Sequence, residues 1–244
     1  MNHIVLEICA DDLAGVRAAA EGGADRVELC SALPLGGLSP SPAFAAAALE
    51  SGLAVHAMVR PRAGDFVYSP DELNLMVAEI RALASVGVTG VVTGATLDDG
   101  TPDRDALARL RDAADGIDIV LHRAIDLAPD LCAAVELAAS LGFDHVLSSG
   151  GEPTAVEGAD LLSKMVGVSA RRLAIMAGSG VSAENVAELV RASGVQAVHA
   201  SAGSDCAWAD PRIASFHFGP PARRYTDRSS VAAIRAALDA KIPK

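Results

Sequence analysis

The chain has 244 residues, and 51% of them are hydrophobic, enough for one α/β barrel or two small domains with a sizeable core. Its formal charge of −11 argues against nucleic-acid and anionic-membrane partners, because neutralising phosphates needs a basic surface. Aromatic residues are only 3% of the chain, so Ala, Val and Leu must fill the interior.

The chain opens directly into a strand-like run, without a basic-then-apolar leader, and no apolar run is long enough to span a bilayer. Four cysteines, none in a CxxC, set the expectation of a cytoplasmic protein with reduced thiols. Strands are predicted at 3–9, 26–31, 54–60, 90–94, 118–123, 145–150, 172–178 and 197–201. Helical patterns fill the gaps at 11–21, 41–51, 70–86, 103–115, 129–141, 155–167 and 183–192. A long irregular loop over 201–228 leads to a final helix at 229–240. Ser69-Pro70-Asp71-Glu72 reads as an N-cap, a Pro at the first helical position and acids in the first turn. Pro102-Asp103 and Pro129-Asp130 look alike, and Gly22, Gly52, Gly87, Gly142 and Gly194 stand where helices should end. Eight strand–helix units in strict alternation predict a single (β/α)8 barrel domain over 1–244. No GxGxxG follows the first strand, so no nucleotide cofactor is expected.

Period-two alternation assigns faces. Leu6-Glu7-Ile8-Cys9 and Val27-Glu28-Leu29-Cys30 nearly repeat each other, and each puts an acid and a thiol on one face. An unpaired carboxylate is costly against packed helices, so these faces should line the barrel interior. In the third strand His56, Met58 and Arg60 point inward, in the fifth His122, and in the eighth His199 and Ser201. Ordinary barrel interiors are layers of branched aliphatics, so this polar set marks a site. After the strands come Arg60-Pro61-Arg62, Ser148-Ser149-Gly150-Gly151 and Gly178-Ser179-Gly180, the last leading through Ser182 as N-cap into a helix. Barrels often hold phosphate in the loops after strands seven and eight, where Gly lets backbone N–H groups approach an anion.

These stretches, with Gly36-Gly37-Leu38-Ser39-Pro40-Ser41, Met58 to Phe66, His122-Arg123-Ala124-Ile125-Asp126 and Val198-His199-Ala200-Ser201, resemble the copper homeostasis protein CutC family from residue 4 to about 203. The resemblance implies a (β/α)8 barrel, a cytoplasmic homo-oligomer (dimer or tetramer) and a link to copper. It makes Cys9 and Cys30 the natural candidates for Cu(I). Glu7, Glu28, Arg60, His122, Arg123, Asp126 and His199 match its polar barrel-mouth positions. Ala63 and Ser179 depart from its usual glycines.

Two functions follow as expectations. In the first, Cu(I) is held by Cys9, Cys30 and Met58 on neighbouring strands, with His56 nearby, because the soft ion prefers thiolate, thioether and imidazole. In the second, the barrel is an enzyme for a small anionic or phosphorylated metabolite. Glu7, Glu28 or His122 is then the acid or base. Arg60, Arg62, Arg123, Asp126, Ser149, Gly150, Gly178, Ser179, Gly180, His199 and Ser201 surround the anion. No Lys lies at a strand end, which counts against a Schiff-base aldolase.

Overall fold

A computed structural model describes residues 3–241. Eight parallel strands, β1 (Val5–Ala10), β2 (Arg26–Leu29), β3 (Ala54–Met58), β4 (Gly90–Thr93), β5 (Asp118–Leu121), β6 (His145–Ser148), β7 (Ala174–Gly178) and β8 (Ala197–Ala200), close into a barrel in chain order. Closure comes from β8 pairing with β1, which sets His199 beside Glu7. The (β/α)8 barrel expected from the alternation is therefore the observed fold. The helices between the strands are α1 (Leu13–Glu21), α2 (Pro42–Leu49), α3 (Pro70–Ser85), α4 (Arg104–Ala113), α5 (Leu131–Ser140), α6 (Ala159–Ser169) and α7 (Val186–Ser193). None among the described residues is long and apolar enough to cross a membrane.

The strand parity holds. Leu6, Ile8, Val27, Leu29, Val55, Ala57, Ile119, Leu121, Val198 and Ala200 join the helices in one large apolar core. The opposite parity fills the barrel interior, which divides in two. Cys30, Met58, Val92, Val120, Leu147, Met176 and Ala197 form a small inner apolar cluster. Glu7, Arg26, Glu28, His56, Arg60 and His122 are buried polar groups. Apolar burial at about 25 cal/mol per Å2 stabilises the outer shell, while the inner charges must find partners.

Three departures from the expected elements have local causes. His122 ends β5 early, because its Nδ1 accepts the Ala124 N–H and starts a 3-10 turn at Arg123–Leu127. Ser182 does not cap α7; its N–H bonds Asn185 Oδ1 in a turn, and the helix begins at Val186. The stretch expected to be an irregular loop over 201–228 instead folds as an antiparallel hairpin, β9 (Gly203–Cys206) against β10 (Arg223–Thr226). A short helix α8 (Arg212–Ser215) sits between its strands, and α9 (Arg228–Lys241) follows. The hairpin carries no alternating aliphatics; backbone pairing and an exposed Arg224–Asp205 ion pair hold it.

Candidate functional site at the barrel mouth

A cavity of about 530 Å3 opens at the C-terminal ends of the strands, within the range of small-ligand sites. Cys9, Glu28, Met58, His122, Arg123 and His199 are among its walls. Cys9 Sγ, a Glu28 carboxylate oxygen and a His199 ring nitrogen lie within 4.8 Å of one another. β1, β2 and β8 are neighbours round the ring, which is what brings the three together.

The His199 ring is oriented from below. Its Nδ1 lies 2.8 Å from Glu7 Oε1, so Nε2 faces Glu28 Oε2 at 3.8 Å. Glu7 also accepts from Arg26 Nε, and Glu28 accepts from the Cys30 thiol at 3.5 Å. Burial opposes ionisation of Glu7, yet the Arg26 guanidinium and His199 outweigh it and hold the carboxyl well below its ordinary range. Burial also opposes charge on His199, but Glu28, Cys9 and Glu7 together push its pKa well above the ordinary value. Burial pushes the Glu28 carboxyl up, against the pull of His199. The Cys30 thiol is pushed well up by burial and by Glu28, which resists its conversion to thiolate.

His122 occupies another part of the wall. Burial, with Arg60 nearby, lowers its pKa to about 4, so the ring is neutral near pH 7. Gly94, immediately after β4, makes room for it: a Cβ there would meet the ring at 2.6 Å. Glu28 Oε1 and His122 Nε2 are both buried and have no hydrogen-bond partner among the described residues.

The residues expected to hold an anion divide into two groups. Arg60, Arg123, Ser179, Gly180, His199 and Ser201 line the cavity. The N–H groups of Ser179, Gly180 and Val181 donate no hydrogen bond among the described residues. Ser201 Oγ accepts a long bond from Arg224. Ser149 and Gly150 are used differently. Asp126 accepts from Ser148 Oγ, Ser149 N, Ser149 Oγ, Gly151 N and Arg123 Nε, and so ties that loop to the 3-10 turn. Gly150 N–H is taken up by Ser148 Oγ. Gly178 ends β7, where a Cβ would meet Leu147 at 2.6 Å; its role is close packing. Arg60 donates to the carbonyls of Leu35, Gly37 and Gly64, pinning two loops over the mouth. Arg62 lies outside the cavity, paired with Glu72 and Asp65.

His56 is not brought to the sulfurs. It lies in the lower barrel, with Nε2 3.6 Å from Asp118 Oδ2 and Nδ1 3.9 Å from Glu7 Oε2. There Arg26 spans Glu7, His145 Nε2 and Met176 Sδ. Burial and Arg26 lower the His145 pKa to about 4. Arg26, Asp118 and His145 went unnoticed in the sequence, although each shares the inward parity of Glu28, His122 or Leu147. Their positions at strand starts, below the mouth, hid them.

The family model described as CutC family matches residues 4–204. A family protein CutC of Rhizobium meliloti (strain 1021) is 45% identical over 244 residues, covering 100% of both chains. One from Caulobacter vibrioides (strain NA1000 / CB15N) is 44% identical over 98% of each. The crystal structure of a CutC from Streptococcus agalactiae, whose name assigns it provisionally to copper homeostasis, superimposes with a TM-score of 0.77 at 30% identity. It covers 81% of this chain and 98% of its own.

Proposed function

The chain belongs to the CutC family, and on that premise we propose that it serves copper homeostasis by taking Cu(I) at the barrel mouth. The observation that carries this reading is the convergence of Cys9, His199 and Glu28 within 4.8 Å. Thiolate and imidazole suit the soft ion, and the Met58 thioether lines the same cavity. Glu28 is the hard member of the set. Cys30, fully buried behind Glu28, is a reserve thiol rather than an open ligand. Four free cysteines suit a reducing cytoplasm, where we place the protein, as a homo-oligomer of the kind the family resemblance implies.

Loading the ion must displace a proton from His199, whose pKa its acidic neighbours raise. Cu(I) affinity should therefore rise with pH, by roughly tenfold per unit for each proton displaced. Anaerobic competition against a Cu(I) chelator tests the site. Cys9→Ser and His199→Gln should each weaken binding by at least about tenfold, the lower end of the loss seen when even a group that only supports a metal ligand is removed. Cys132→Ser should bind as wild type does. Equal affinity in all three variants would refute the reading.

A second reading has its own support: a small anionic metabolite, bound for catalysis. The cavity of about 530 Å3 is much larger than an ion requires. Unpaired Glu28 Oε1, unpaired His122 Nε2 and the free N–H groups of 179–181 are groups a small molecule would satisfy. Inorganic phosphate at millimolar concentration should raise the melting temperature if this reading holds.

A further inference from the structure

Two groups of complementary chemistry stand on opposite sides of the mouth cavity. Glu28 lies near the end of β2; His122 follows β5, three strands round the ring. Each is only 4% exposed, and each lines the cavity. The Glu28 carboxylate uses Oε2 for Cys30 and His199, while Oε1 has no partner among the described residues. The His122 ring is held on three sides. Its Nδ1 accepts the Ala124 N–H at 3.2 Å, Gly94 backs it, and the Phe66 ring packs on it with centroids 4.9 Å apart. An Nδ1 that accepts fixes the proton of the neutral ring on Nε2, the nitrogen without a partner. Such a ring is a hydrogen-bond donor that does not itself carry charge. A neutral imidazole polarising a carbonyl, paired with a carboxylate base, is a known arrangement for moving a proton next to a carbonyl group. The loop after β7 adds N–H groups at Ser179, Gly180 and Val181 that donate no hydrogen bond among the described residues, and Arg123, paired through Nε with Asp126, stands in the cavity wall.

We propose that this cavity binds a small phosphorylated α-hydroxycarbonyl compound and moves a proton between its two adjacent carbons, with Glu28 as base and His122 as donor to the carbonyl oxygen. The proposal rests on the anionic-metabolite reading above and gives it a substrate class and a reaction. Glu28 Oε1 takes the proton from the carbon beside the carbonyl. That C–H electron pair becomes the C=C bond of an enediolate, and the C=O pair moves onto oxygen, where His122 Nε2–H meets the developing charge. The proton of the neighbouring hydroxyl passes to that oxygen by way of His122. The new carbonyl then forms, and Glu28 returns its proton to the other carbon. Ketose becomes aldose with no oxidant, reductant or co-reactant. The phosphate lies against the Ser179–Val181 amides and Arg123.

The test is deuterium exchange in D2O followed by proton NMR, with dihydroxyacetone phosphate and ribulose 5-phosphate as probes and a chelator present to keep the protein metal-free. Wild type should wash out the proton beside the carbonyl of at least one probe, well above the buffer blank. Glu28→Gln and His122→Gln should each slow that exchange by about 10²-fold or more, as loss of a general acid–base group does. Glu28→Asp should recover part of it. No exchange with either probe, or exchange undiminished in Glu28→Gln, would overturn the proposal. Phosphoglycolate separates it from the reading it rests on. A melting-temperature rise without exchange leaves anion binding standing and removes the reaction; no rise at millimolar concentration removes both. A check on unmutated protein does not depend on variants folding. Nitrogen NMR should show His122 neutral and protonated on Nε2 between pH 5.5 and 8, and an imidazolium or an Nδ1–H ring would overturn the assignment.

Discussion

At the scale of single residues, Asp126 illustrates how a candidate ligand can be a scaffold. Its carboxylate gathers donors from Ser148, Ser149, Gly151 and Arg123, leaving no free acceptor for a substrate. Asp126→Ala would leave those donors unpaired and should cost about 3 kcal/mol, since hydrogen bonds to charged groups contribute about 1.5–3 kcal/mol each and are not additive. Chemical denaturation measures this; a loss under about 1 kcal/mol would show that the loop holds itself. The inward position of Glu7, Glu28, His122 and His199 was legible, because parity alone decides it. Their pairing was not. Glu7 and His199 are 192 positions apart and meet only because β8 closes on β1. Arg60 shows the same limit: sequence places it at the mouth, where it lines the cavity, but not its Nη1 and Nη2 on three carbonyls, which leave Nε as the nitrogen without a partner among the described residues.

At the scale of elements, local chemistry was legible wherever it was self-contained. Ser69 caps α3, Pro70 follows, and Glu72 returns a bond to the Ser69 N–H, completing a capping box. Ser69→Ala should cost about 1 kcal/mol, a usual value for losing such a cap. For a chain of this size that is a fall of about 2–4 °C in melting temperature; an unchanged transition would mean that tertiary packing alone sets the helix start. The hairpin of β9 and β10 was illegible for the opposite reason. Its strands, Gly-Ser-Asp-Cys and Arg-Arg-Tyr-Thr, are polar and largely exposed, so neither periodicity nor composition separates them from a loop. The hairpin nevertheless shapes the mouth. With the β1 end it walls a second cavity of about 700 Å3, and both cavities share Cys9, Leu33, Ser201 and Arg224.

At the scale of the molecule, the buried charges tie stability to pH. His122 and His145 have pKa values lowered from 6.5 to about 4, so from pH 6.5 downward the unfolded chain takes up protons that the native barrel refuses. Glu7, also lowered, adds a loss below its ordinary 4.5. His199 and Glu28 are raised; their stabilising contribution is present in acid and lost as pH rises, which offsets part of the effect. His145→Gln should therefore flatten the fall in melting temperature between pH 6.5 and 4, and an unchanged slope would show that His145 does not titrate this way. The same charges set up the mouth: Arg26 fixes Glu7, Glu7 orients His199, and His199 stands beside Glu28 and Cys9. Copper K-edge X-ray absorption on the protein loaded anaerobically with one Cu(I) examines that arrangement most directly. The expected spectrum contains both sulfur and imidazole scattering, and the sulfur contribution disappears in Cys9→Ser. A spectrum without imidazole, or one that Cys9→Ser leaves unchanged, would contradict the assignment of Cys9 and His199 as the copper ligands.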